Sequence, residues 1–125
     1  MDKNKKDAMM LAYKKLDTQI EAFDNAITSL RETSAAVLKD GKNGTLKAVT
    51  DGMGNVLFLA DTMIHTVDVH GIEVNVDFIR EQFAEINSGI ENEDYELVAD
   101  VVEGELQPML CEWFDELDAL FGDGE

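Results

Sequence analysis

Apolar residues recur along this chain at alternating steps of three and four, the spacing that lays a stripe along one side of an α-helix. The pattern occurs four times. Met9, Tyr13, Leu16, Ile20, Phe23, Ile27, Leu30, Ser34 and Val37 carry the first stripe and predict one long helix over 5–39. Asp40-Gly41-Lys42-Asn43-Gly44 closes it, because glycine and asparagine tolerate the left-handed conformation that ends a helix. Thr45 is a candidate cap for the second helix, 45–69, whose stripe runs Leu46, Val49, Met53, Val56, Ala60, Met63 and Val67 up to His70-Gly71. Gly52 and Gly54 interrupt that helix, and we read them as points of close approach between helices rather than as a break.

The third stripe, Val76, Ile79, Phe83, Ile86 and Ile90, predicts a shorter helix over 77–90 with Asn75 as its cap. The fourth, over 94–121, uses Tyr95, Val98, Val102, Leu106, Met109, Trp113, Leu117 and Leu120, and 122–125 are expected to fray. Pro108 falls inside it. There it removes one backbone hydrogen bond and crowds the carbonyl of Gly104, so a kink or restart is expected, either a static bend or a hinge. Four amphipathic helices on short links define an all-α, up-down-up-down four-helix bundle, one domain over 1–121, with a long first helix and a kinked last one. The first helix spans about 50 Å and the third only about 20 Å at 1.5 Å per residue. The overhang around Met9, Met10 and Tyr13 needs cover, and a homo-oligomer through the first helix would supply it.

Charge changes this picture more than composition does. The formal net charge of -17 over 125 residues excludes nucleic acid and anionic membrane as partners. Residues 1–50 carry nine basic and seven acidic side chains, whereas 51–125 carry one basic and twenty acidic ones. The second half is therefore strongly anionic: either a solvated face, or a docking surface for a basic or amphipathic protein segment. Glu103, Glu105, Glu112, Asp115 and Glu116 on the fourth helix are the candidate partner-binding residues. No apolar run reaches the roughly 18–20 residues of a membrane span, and no apolar stretch follows the lysine-rich start, so we expect a cytoplasmic protein. Cys111 is the single cysteine and lies among apolar residues, where a buried, inert thiol is expected.

Catalytic chemistry finds little support. His65 and His70 are five residues apart, about 140° around a helix, and cannot form an i, i+4 metal pair. Two rows have the spacing to bind a divalent ion, Asp61, His65, Asp68 and Glu96, Asp100, and each also fits an ordinary ion-paired face, the reading adopted here; no cofactor is expected. Glu96-x-x-x-Asp100 and Glu112-x-x-Asp115 resemble the acidic segments of all-α nucleotide pyrophosphatases, which hold magnesium between facing helices. That family steps from Glu to Asp by three, and a Glu-Glu-x-x-Glu stretch is absent upstream.

The stretch from Glu91 to Leu110 resembles a segment of small uncharacterised helical proteins of Gram-positive bacteria associated loosely with motility or secretion. Small size, acidity and a helical bundle also resemble export chaperones as a type, although the N-terminal motif of a flagellin chaperone is not seen in residues 1–13. We therefore expect a non-enzymatic binding module, a chaperone or adaptor. A metal-dependent pyrophosphatase-like hydrolase and a self-associating structural protein are the alternatives.

Overall fold

The computed structural model describes residues 3–32 and 43–122. Helix α1 (Lys3–Glu32) is followed by α2 (Asn43–His65), a single turn α3 (Val67–His70), α4 (Val76–Glu91) and a last helix in three parts, α5 (Tyr95–Val101), a π-helical turn (Val102–Leu106) and α6 (Gln107–Phe121). The described residues contain no strand, and the order of the long helices is the expected up-down-up-down bundle. The predicted end of the first helix, with Ser34 and Val37, and the first part of the 40–44 turn lie outside the described residues, as does 123–125 of the expected frayed end. Asn43 and Gly44 belong to α2, so Thr45 stands inside its first turn instead of capping it.

Helix α1 is the central element, because it packs on α2 along one side and on α5, the π turn and α6 along the other. Its buried arc is consequently wider than one stripe: Ala12, Gln19 and Ala26 are buried beside Met9, Leu16, Phe23, Ile27 and Leu30. Each large apolar side chain taken fully from water contributes about 1.5–3 kcal/mol. Pairings run in opposite directions along each neighbour. Gln19 meets Asn55 and Lys5 meets Asp68 on α2–α3, whereas Arg31 meets Glu96 and Tyr13 meets Phe114 on the last helix. Both neighbours are thus antiparallel to α1.

The length mismatch resolves inside the molecule. Tyr95–Phe121 runs beside α1 for about 40 Å, while α4 covers only its first part, packing on α5 and the π turn. The start of α1 is covered within the chain: Met9 is fully buried, Met10 packs on the core, and Tyr13 stacks on Phe114 of α6 at 5.1 Å and hydrogen-bonds Asp118. Tyr13, one of the residues offered as a pairing surface, is thus engaged by the chain's own last helix.

Local chemistry explains the boundaries. Asn75 Oδ1 accepts from the Phe78 N–H (3.0 Å) and Asp94 Oδ1 from the Leu97 N–H (3.2 Å), so α4 and α5 each begin on a side-chain cap. Gly71 ends α3 at φ 81°, a left-handed value that suits glycine. His70 fastens this corner. Its Nδ1 accepts from the Ile72 N–H (2.9 Å), so Nε2 carries the proton and donates to the Met63 carbonyl (2.9 Å). Of the two glycines in α2, only Gly52 is a close approach: a Cβ there would lie 2.6 Å from Phe23 Cζ, while one at Gly54 meets nothing within 4 Å.

Pro108 produces a π turn rather than a simple restart. The Gln107 N–H reaches back five residues to the Val102 carbonyl, and α6 then starts with proline in its first turn, where the missing donor is tolerated. The stripe changes phase there. Gln107 turns inward, and its Nε2 donates to the Ile20 carbonyl and to Asp24 Oδ1, both at 2.9 Å, joining α6 to α1.

Candidate functional site

Three of the carboxylates singled out by spacing, Asp68, Glu96 and Asp100, are engaged with cations of the same chain. Arg31, in the last turn of α1, donates from Nη1 to Glu96 (2.8 Å) and from Nη2 to Asp100 (2.9 Å) and Glu103 (2.7 Å). Its bonds to the Asp100 and Glu103 carboxylates raise the guanidinium above its ordinary pKa. One cation thus answers three acids spaced i, i+4, i+7, which gathers Glu96, Asp100 and Glu103 around one guanidinium. Asp68 binds Lys5 at 2.8 Å, and that ammonium holds its carboxyl below the usual range. His65 stays exposed beside Asp61, 3.5 Å from its carboxylate and 2.8 Å from its carbonyl. Among the described residues, no three His, Cys, Asp or Glu side chains are placed to hold a metal.

Glu112 and Asp115 lie on α6, and Glu112 is about 18 Å along the helix axis from Asp100. The two pyrophosphatase-like half-motifs therefore do not face one another across a common site. Cys111 is exposed, not buried as expected. Partial desolvation, then Asp115 and Asp24, push its thiol pKa up, so the thiolate that would act as a nucleophile is disfavoured.

What the fold does assemble is an acidic groove between α4 and α5. Ala84, Leu97 and Val101 supply some apolar surface, with Glu81 and Glu85 on one side and Asp100 and Glu105 on the other of an open depression of about 780 Å³. Glu81, Glu85 and Glu105 have no ion-pair partner among the described residues. The helices approach closely at one end because Gly89 has no side chain: a Cβ there would stand 2.8 Å from Val98 Cγ2. Toward Phe121 the groove passes Glu105 into a second, smaller cavity of about 390 Å³ between the 73–78 segment and α6.

Of the five predicted partner-binding residues, the fold places Glu105 in the groove and Glu112 in the smaller cavity. Glu103 is turned to Arg31, and Asp115 and Glu116 line neither space. Glu73, Glu81 and Glu85 were missed. The i, i+4 step from Glu81 to Glu85 was a usable signal, but Asp100 and Glu105 are five apart and share a wall only because the π turn lies between them.

These features define an all-α bundle with an open acidic groove. The chain belongs to the family described as Domain of unknown function (DUF8042), whose model matches residues 7–116. No curated protein and no solved structure matches it. Among the described residues no helix is long and apolar enough to cross a membrane.

Proposed function

We propose that this protein is a non-enzymatic binding module whose α4–α5 groove takes a basic amphipathic helix from a protein partner, as a chaperone or adaptor would. The observation that carries this reading is the groove's composition, a few apolar side chains set among carboxylates that no described cation neutralises apart from Asp100. A helix with lysines or arginines flanking an apolar stripe complements both features. The neighbouring Glu96, Asp100 and Glu103 set is held by Arg31 and serves to fix α5 against α1.

The test is calorimetric titration of an 18-residue helical peptide of leucine, alanine and lysine into the wild-type protein and into the Glu85→Gln/Glu105→Gln variant. Loss of two rim charges, each about 0.2–1 kcal/mol, weakens binding by roughly 2- to 30-fold at low salt, and the difference shrinks as salt is added. Equal affinity for the two proteins, or no heat at any ionic strength, would refute the proposal.

A further inference from the structure

We infer that the smaller cavity beside the π turn is a socket for one arginine side chain of the partner, an inference that rests on the groove reading above. The cavity adjoins the groove through Glu105, which lines both. Its walls are apolar: Val74 and Phe78 on one side, Pro108, Met109 and Trp113 on the other. Its polar groups are Asn75 and the carboxylates of Glu73, Glu105 and Glu112. None of those three acids has an ion-pair partner among the described residues.

A neutral alkyl chain would satisfy the walls and leave the carboxylates unanswered, while a small hydrated cation would do the reverse. A long side chain with a cationic end does both, its methylenes on the apolar walls and its charge at the rim. Arginine suits the place better than lysine. Carboxylates from the 73–78 segment, the π turn and α6 surround the space, and a planar guanidinium offers five donors in fixed directions, where an ammonium is a compact, strongly hydrated point charge. Pro108 gives no N–H to the turn before it, and Gly104, which lines the cavity, has open space where a side chain would stand. A ligand can therefore come up to the main chain of the π turn.

Trp113 is the only tryptophan, is almost fully buried and lines the cavity, so its indole N–H resonance reports on the socket and not on the groove. Two probes are titrated into the wild type and into Glu73→Gln/Glu112→Gln: n-butylguanidinium with n-butylammonium as control, and the leucine-alanine-lysine peptide with its central lysine kept or replaced by arginine. These glutamates are exposed, so the variant folds normally, and the dispersion of the remaining resonances verifies it. In the wild type, butylguanidinium shifts the indole signal saturably and about fivefold more tightly than butylammonium, and the arginine peptide outbinds the lysine peptide by a similar factor. The variant loses both preferences. A non-saturating indole shift that is the same in both proteins, or equal affinity for the arginine and lysine peptides, overturns the socket. Saturable butylguanidinium binding with no binding of either peptide overturns the groove and keeps the socket as a guanidinium site, whereas peptide binding without arginine preference does the opposite.

Discussion

Replacing Gly52 by alanine sets two effects of opposite sign against each other. Alanine is favoured over glycine in a helix interior by about 1 kcal/mol. At Gly52 the added methyl would stand 2.6 Å from Phe23 Cζ and 2.7 Å from Gln19 Nε2. Phe23 is fully buried and Gln19 nearly so, so neither side chain swings clear. Forcing a methyl into packed surroundings costs roughly 1–3 kcal/mol, so the net result runs from about neutral to about 2 kcal/mol destabilising. Gly54, two residues on, provides the control. It is exposed with open space at its Cβ position, so Gly54→Ala gains about 1 kcal/mol. The quantity to measure is the difference between the two variants in urea unfolding followed by far-UV circular dichroism, expected at about 1–3 kcal/mol. Trimming the ring with Phe23→Leu in the Gly52→Ala background recovers part of the loss. If both alanines stabilise equally, α1 and α2 do not meet at Gly52 and the packing described here is wrong.

Three further outcomes follow from the charges and the thiol. Arg31→Met leaves Glu96, Asp100 and Glu103 facing one another, so its loss of stability is large at neutral pH and low salt and smaller in high salt, as thermal unfolding at two ionic strengths would show. Asp68, whose pKa is depressed by Lys5, stabilises the fold above the ordinary carboxylate range, and that contribution is lost as pH falls through the depressed value. The stability difference between Asp68→Asn and the wild type, read from unfolding midpoints, should accordingly vanish on acidification. Cys111 should react with a disulfide reagent at pH 8 more slowly than free cysteine despite its exposure, and faster as pH rises; equal rates would contradict the raised thiol pKa.

Sequence periodicity carried the helices because a bundle's core is a set of stripes, and Asn75 and Gly71 could be read as helix boundaries from residue type alone. The burial of Ala12, Gln19 and Ala26 was not legible, since a single stripe cannot reveal that α1 is packed on two sides. The π turn was foreshadowed only by Pro108: proline announces a lost hydrogen bond, but not that the helix will absorb it by widening a turn. The candidate site suffered most from this. Pairing Asp100 with Glu105, and both with Glu81 and Glu85, depends on that phase shift and on which helix α4 lies against. Arg31 is the opposite case, an arginine whose three acids lie more than sixty residues away, beyond the reach of any local spacing rule.

The groove itself is tested most directly by mapping where a basic amphipathic helix binds. Isotope-labelled protein titrated with the leucine-alanine-lysine peptide should show its largest amide shifts at Glu81, Gln82, Glu85, Leu97, Val101 and Glu105, with α2 unperturbed. Shifts concentrated on α2, around Leu57, Phe58 and Ile64, or spread evenly over all acidic residues, would contradict the account.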